Sequence, residues 1–329
     1  MSAGHGHGHA SANSDQRWLT GALVVIVAFM AGEVAAGLLA GSLALLSDAA
    51  HMLTDAGAIA LALWAARLAV RPAAGRMTYG WKRVEILSAQ ANGVTLLVLG
   101  AWLAYEAVRR LISPPEVTGE LVLAVALVGI VVNLAATWMI GRANRSSLNV
   151  EGAFQHILTD LFAFVATAVA GLVMVLTGFA RADAIASLVV VALMGRAGLG
   201  LVRESSRIFL EAAPAGLDPE TIGAALARRP QVAEVHDLHV WEITSGQPAL
   251  SAHVLVVSGG DCHAVRADLA GFLAVEHRIE HTTLQVDHAG PADLRVDEAG
   301  DDHCDEPHGA TYRGAPAGLP WPGRAGDQS

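Results

Sequence analysis

The stretch SLALLSDAAHMLTDAGAIALALW, residues 42–64, is apolar over most of its length but contains one histidine and two aspartates. It is long enough for a helix that crosses a lipid bilayer, which needs about 20 mostly apolar residues. An aspartate at the centre of such a helix costs about 2.5–3.5 kcal/mol on insertion scales, so residues of this kind are rare there and mostly functional. We therefore interpret His51 and Asp55 as a functional pair inside a membrane span.

The composition divides the chain into a membrane part and a part of ordinary soluble composition. Of the 329 residues, 53% are hydrophobic and only 16% are charged, which is less charge than a soluble domain of this length carries. Apolar blocks of about 20 residues follow one another up to about residue 209. They predict six transmembrane helices, at 18–40, 44–68, 84–110, 119–141, 152–178 and 183–203.

The segments outside these spans complete the predicted domain order. Residues 1–17 form a His-rich N-terminus, and residues 18–208 form the six-helix transport domain. Residues 209–289 alternate between helical and strand patterns in the order αββαβ, which predicts a small α+β open-faced sandwich. Residues 290–329 are rich in Gly, Pro, Ala and Asp, and we expect a disordered acidic tail.

Basic residues between the spans predict the orientation in the membrane. They are concentrated in the connections on one side, and few lie on the other side. Loops with excess Lys and Arg stay in the cytoplasm. We therefore expect a multi-pass protein of the plasma (inner) membrane with both termini and the C-terminal domain in the cytoplasm. The largest basic group lies at the end of the second span and in the connection to the third, at Arg67, Arg71, Arg76, Lys82 and Arg83.

Charge, cysteine content and motifs exclude several functions. The net charge of −10 argues against a nucleic-acid partner, because phosphate binding needs a basic surface. Two cysteines support neither a disulfide framework nor a four-cysteine zinc site. The chain has no P-loop motif, so we expect no ATP-driven pumping.

The fifth span repeats the polar pattern of the second. His51 and Asp55 lie in HMLTD, and His156 and Asp160 lie in HILTD. Residues four apart share one face of a helix, so each helix offers one imidazole and one carboxylate. Two such helices facing each other supply four nitrogen and oxygen ligands, the tetrahedral set that suits Zn²⁺.

These ligands also suggest a mechanism. The reference pKa of histidine, about 6.5, lies near cytoplasmic pH, so protons and metal compete for the same atoms. A site that opens first to one side of the membrane and then to the other exchanges metal for protons. The alternative for each pair is a structural hydrogen bond between helices. Other polar residues in the spans are interpreted as packing or hydrogen-bonding groups rather than ligands, namely Glu33, Gln90, Asn92 and Asn133.

Two functions of other classes remain as alternatives, a membrane-embedded metal sensor and an intramembrane metalloenzyme. An enzyme needs an open coordination position, but the four predicted ligands fill a tetrahedral site. A sensor needs an output domain, and the C-terminal part contains no kinase, cyclase or DNA-binding signature. The sequence therefore favours a secondary transporter that is not an enzyme.

Four motifs give the chain a family resemblance: SLALLSDAAHMLTDAGA, YGWKRVEILSAQANG, FQHILTD and VHDLHVWEI. Over residues 17–288 the chain resembles the cation diffusion facilitator family, in its zinc-type branch. The resemblance implies a homodimer of six-span subunits with a ferredoxin-like cytoplasmic domain. It also implies proton-coupled efflux of Zn²⁺, with tolerance for Cd²⁺ and Co²⁺.

The resemblance also implies roles for residues outside the spans. Arg83 and Glu211 match the charge interlock of the family at the membrane boundary. Some members bind metal in the loop between the second and third spans, but here RLAVRPAAGRMTYGW has neither Asp nor His, and we predict no metal there. Ligand positions of a regulatory cytoplasmic metal site vary between members, so no definite set is chosen among His236, His253, His263, His281 and Asp287.

Two further segments are rich in metal-binding side chains, GHGHGH near the N-terminus and DDHCDEPHG near the C-terminus. Both have low complexity and are predicted to be flexible. Weak metal capture near the transport domain and a passive tail are equally compatible with their composition.

Overall fold

The computed structural model describes residues 8–40, 43–113, 119–143, 145, 147–179, 181–289 and 309–314. Within these ranges, the side chains of residues 8–15, 33, 36–40, 43–51, 54, 55, 119–122 and 183 remain outside the description. The chain divides into two compact units. The helical unit comprises Met1–Arg207 with Thr244–Gly246, and the C-terminal unit comprises Ile208–Ile243 with Gln247–Ser329.

Six long helices make up most of the described residues before the C-terminal unit. Their length follows from the apolar blocks of the sequence, because a helix of about 20 residues spans the hydrocarbon core. The helices are α1 (Gly8–Ala40), α2 (Leu43–Ala69), α3 (Val84–Ile112), α4 (Gly119–Ile140), α5 (Leu148–Thr177) and α6 (Ala182–Phe209). The predicted class, a helical membrane protein with a small α+β domain, is confirmed.

Among the described residues, four helices are long and apolar enough to cross a membrane. These spans are Val84–Ile112, Leu123–Ile140, Leu148–Thr177 and Ala184–Phe209. The described apolar parts of α1 and α2 are shorter, at Gln16–Gly32 and Ala56–Ala69.

Helix α5 begins four residues earlier than its apolar block predicts. The polar first turn contains Glu151, whose carboxylate favours a helix N-terminus, and it extends the helix back to Leu148. The helix ends at Gly178, which has a φ of 70° and donates its N–H to the carbonyl oxygen of Met174. A left-handed glycine is a common way to end a helix, because glycine has no Cβ to clash there.

A buried apolar cluster joins α1, α2, α4 and α5. Because side chains four apart share a helix face, each of these helices contributes a stripe of fully or nearly fully buried residues. Members of the cluster include Leu19, Ile26, Met52, Ile59, Ile140 and Ile157. This packing buries one face of α5 inside the helical unit. The predicted metal ligands of α5 lie on that face.

The C-terminal unit contains a four-stranded sheet in the order β3-β2-β1-β4. Strands β1 and β2 pair antiparallel, and β2 and β3 pair parallel. The core contains apolar residues of helices α7 and α8 and of one face of the sheet, among them Ile222, Val254 and Leu269. The elements are α7 (Pro219–Ala227), β1 (Val232–Glu242), β2 (Pro248–Val256), α8 (Cys262–Glu276), β3 (His281–His288) and β4 (Tyr312–Arg313).

The short strand β4 corrects the prediction of disorder for residues 309–314. Tyr312 and Arg313 pair with β1, and Arg313 donates from Nε to the Glu234 carboxylate at 3.1 Å. The Tyr312 ring fills the space beside Gly223, where an added Cβ would overlap it. Composition averages over a whole tail and therefore does not detect two residues that complete a sheet edge. The other residues of 290–329 lie outside the described part of the chain.

Candidate metal site

His156 and Asp160 lie one turn apart on the buried face of α5. Only 1% of His156 and 4% of Asp160 are exposed. His156 Nε2 lies 3.9 Å from Asp160 Oδ2. A buried carboxylate is strongly unfavourable unless a proton, a metal or a partner compensates its charge. The two side chains therefore form a polar centre on the buried face of α5, where the sequence predicts one half of a metal site.

The other predicted half lies on α2. His51 and Asp55 fall within Leu43–Ala69, but their side chains lie outside the described part of the chain. Helices α2 and α5 are in contact, and Asn149 Nδ2 of α5 donates to the Ala62 carbonyl oxygen of α2 at 2.8 Å. The four-ligand set therefore remains a prediction, of which the structure describes the α5 half.

Further polar side chains are buried around this part of α5. Ser88 and Asn92 lie one turn apart on α3, and Asn92 Nδ2 lies 3.5 Å from the position that a Cβ on Gly152 would take. Gly152 itself precedes His156 by one turn of α5. Asn133 on α4 is fully buried. Buried neutral polar groups therefore accompany the apolar cluster, and Asn92 lies against α5 one turn from His156.

In the C-terminal unit, the structure brings two predicted ligands together. His236 on β1 is directly opposite His253 on β2, and their ring centroids are 5.4 Å apart. Both residues lie on the face of the sheet that points away from the apolar core. His236 Nδ1 is 3.2 Å from Glu234 Oε1, so a carboxylate adjoins the histidine pair.

Sequence reasoning missed a second carboxylate at this place. Asp237 Oδ1 is 2.9 Å from His239 Nε2, and Asp237 Oδ2 is 3.7 Å from His253 Nε2. Asp237 has a φ of 51° at an irregularity in the β1–β2 pairing, which turns its side chain toward two histidines. A positive φ at aspartate is uncommon and marks a local distortion that a strand pattern does not reveal. The only signal in the sequence is the close spacing of polar residues in VHDLH.

The remaining predicted ligands do not join this pair. His263 lies on α8, which packs on the opposite, core face of the sheet. His281 begins β3, four residues before Gln285, the neighbour of His253. Asp287 lies two residues beyond Gln285 and accepts a hydrogen bond from it at 3.0 Å. Among the residues that the structure describes, no group of three or more His, Cys, Asp or Glu side chains is arranged to hold a metal ion.

A contact that the sequence did not predict joins Cys262 and His288. Cys262 Sγ is 3.4 Å from His288 Nε2, which is also 2.9 Å from the Gly260 carbonyl oxygen. Cys262 opens α8, and His288 ends β3, so the sequence separates them by 26 residues.

The charge interlock implied by the family resemblance stays a prediction. Arg83 precedes α3 in the helical unit, and Glu211 follows α6 in the C-terminal unit with a φ of 56°. The side chains of GHGHGH (residues 4–9) lie outside the described part of the chain. The same is true of DDHCDEPHG (residues 301–309) up to residue 308.

Comparison with known proteins links this arrangement to transporters. The family model for the cation efflux transmembrane domain matches residues 19–210, and the model for the cation efflux protein cytoplasmic domain matches residues 214–289. A cadmium, cobalt and zinc/H(+)-K(+) antiporter of Bacillus velezensis is 34% identical over 87% of this chain and 92% of its own length. The zinc transporter ZitB of Escherichia coli is 35% identical over 90% and 96%. The metal cation efflux system protein CzcD of Cupriavidus metallidurans is 37% identical over 87% and 90%.

Proposed function

The chain belongs to the cation diffusion facilitator family of cation efflux proteins, and we propose that it exports divalent zinc in exchange for protons. The observation that carries this proposal is the buried pair of His156 and Asp160 on a helix long and apolar enough to span a membrane. The names of relatives that match most of the chain support the same activity.

The transported cation binds at His156 and Asp160 together with His51 and Asp55. Neutral imidazole and carboxylate are ligands that zinc accepts. Each ligand also binds a proton, so the site holds either metal or protons. A buried site with this property exchanges the two when it opens alternately to the two sides of the membrane. The protein then works as a secondary transporter and not as an enzyme.

The direction of transport follows from the proposed topology. Basic loops place both termini and the C-terminal unit in the cytoplasm, and the membrane is the plasma (inner) membrane. Zinc is the main substrate. Cadmium and cobalt are further substrates, because nitrogen and oxygen ligands accept all three ions.

The C-terminal unit serves dimerisation and regulation in this proposal. Its family model supports a homodimer. His236 and His253 form the centre of a regulatory zinc site on the sheet, and further side chains rearrange around the bound ion to complete it. Arg83 and Glu211 form the charge interlock at the membrane boundary.

Zinc flux into sealed liposomes that contain the purified full-length protein tests the proposal. We expect flux that depends on a pH gradient in the native protein and no flux in Asp160→Ala. The matched control is Thr159→Val, because Thr159 is equally buried beside Asp160 and its hydroxyl donates to the Gln155 carbonyl oxygen of its own helix, at 2.7 Å. Zinc flux that persists in Asp160→Ala, or that ignores the gradient in the native protein, contradicts the proposal.

A further inference from the structure

Asn133 on α4 has an oriented carboxamide inside the helical unit. The residue is fully buried. Its Nδ2 donates to the Gly129 carbonyl oxygen at 3.1 Å, and this bond identifies which end of the amide is nitrogen. Its Oδ1 is buried and has no hydrogen-bond partner among the residues that the structure describes. A buried acceptor without a donor is unfavourable and calls for an explanation.

The packing of α4 against α5 shows which residues of α5 lie at the level of Asn133. The two helices run antiparallel, and Gly129 of α4 lies against the Phe164 ring of α5, since a Cβ on Gly129 would overlap that ring. Asn133 on α4 and Asp160 on α5 each lie one helical turn from this contact, in the direction of the loop that joins the two helices. The pairing continues in both directions, where Gly171 lies against Leu123 and Gly141 lies near Phe154. Asn133 and Asp160 therefore lie in the same layer of the bundle.

One buried layer thus contains two kinds of oxygen, the carboxamide oxygen of Asn133 and the carboxylate of Asp160. Both are acceptors, and neither can satisfy the other without a cation or a proton between them. Carbonyl and carboxylate oxygens are ligands for divalent cations, and they favour ions that accept more than four ligands.

We propose that Asn133 supplies its carboxamide oxygen to the transported cation, as an additional ligand beside the His–Asp set, and thereby helps to set metal selectivity. The inference rests on the proposed transport site at Asp160. It differs from the sequence-based interpretation of Asn133 as a packing or hydrogen-bonding group. Zinc is satisfied by four ligands, whereas cobalt readily takes five or six, so the oxygen matters more for cobalt.

The test is the visible absorption spectrum of Co²⁺ bound to the purified full-length protein in detergent. Tetrahedral Co²⁺ absorbs more strongly than Co²⁺ with five or six ligands. The spectrum of each variant is corrected by subtracting that of the same variant with Asp160→Ala, which removes signals from other sites. We expect Asn133→Leu to increase the absorption and to lower cobalt affinity by about tenfold, with a smaller effect on zinc affinity. Asn133→Asp keeps an oxygen and is expected to retain the native spectrum.

Asn149→Leu is the matched control. Asn149 is also fully buried, and its Nδ2 also donates to a backbone carbonyl oxygen, at 2.8 Å from Ala62. It lies eleven residues from Asp160, or about 16 Å along α5. We expect it to leave the corrected cobalt spectrum and the cobalt-to-zinc affinity ratio unchanged.

Two negative results have different meanings. If Asp160→Ala removes no cobalt signal, the proposed transport site itself is wrong. If Asp160→Ala removes the signal but Asn133→Leu changes neither the spectrum nor the affinity ratio, only the role of Asn133 is refuted. Equal effects of Asn133→Leu and Asn149→Leu also refute it, because they show a general packing defect.

Discussion

The contact between α3 and α6 gives a stability prediction that can be worked from the structure. A Cβ on Gly198 of α6 would lie 2.9 Å from the Gly93 carbonyl oxygen and 2.9 Å from Leu97 Cγ, both on α3. The two backbones approach so closely that an added methyl group must displace one of them. Gly195, on the same helix, has open space at its Cβ position, where no side chain or neighbouring helix of the described chain comes within 4 Å. It therefore provides a matched site for the same substitution.

The expected magnitude follows from two opposing terms. Replacing glycine by alanine in a helix interior stabilises the helix by about 1 kcal/mol at either position. Overpacking at Gly198 costs about 1–3 kcal/mol. The helix term cancels in the comparison, so Gly198→Ala should be less stable than Gly195→Ala by about 1–3 kcal/mol.

The assay is the free energy of unfolding of the purified protein in mixed micelles, titrated with a denaturing detergent. Gly200→Ala serves as a second open-site control, because its Cβ position is equally open among the residues that the structure describes. Equal free energies for the variants at Gly198, Gly195 and Gly200 would refute the close contact between α3 and α6.

Three further predictions concern the C-terminal unit and the transport site. Asp261 caps α8 by accepting hydrogen bonds from the backbone N–H groups of His263 and Ala264, both at 3.0 Å. Asp261→Ala should therefore lower the free energy of unfolding by about 1 kcal/mol. An unchanged free energy of unfolding in a denaturant titration contradicts the cap. The hydrogen bond from Arg229 holds the pKa of Asp268 below its usual 3.8, so its stabilisation is complete above that pH and disappears as pH falls through the lower folded-state pKa. The stability difference between native protein and Asp268→Asn should therefore shrink between pH 5 and the acid limit, and a constant difference contradicts this. His51→Asp makes the predicted site richer in oxygen and should raise Mn²⁺ transport relative to Zn²⁺ in liposome flux assays; an unchanged ratio counts against His51 as a ligand.

Much of the helical unit could be predicted from the sequence because its signals are local. Apolar block length alone predicts helices such as α3 and α5, since lipid forces a minimum span. The spacing of His156 and Asp160 placed both on one face of α5, and the structure finds both buried there. Their role as ligands remains a prediction, because it depends also on α2, where the side chains of His51 and Asp55 are not described.

Features that depend on contacts between distant segments were not accessible from sequence patterns. Tyr312 belongs to a strand only because the edge of β1 and the space beside Gly223 accept it. Asp237 turns toward His253 because of a distortion in strand pairing. The layer shared by Asn133 and Asp160 depends on how α4 and α5 interlock. In each case the sequence gives the chemical type of the residue but not the residues that surround it in the fold.

The most direct test of proton–zinc exchange records zinc and protons together. Full-length protein is placed in sealed liposomes with a zinc indicator and a pH indicator inside, and zinc is added outside. Proton–zinc exchange predicts that the lumen becomes more alkaline in step with zinc uptake, and that Asp160→Ala and Asp55→Ala abolish both signals. Zinc uptake without any change in lumenal pH, or both signals persisting in Asp160→Ala, would contradict it.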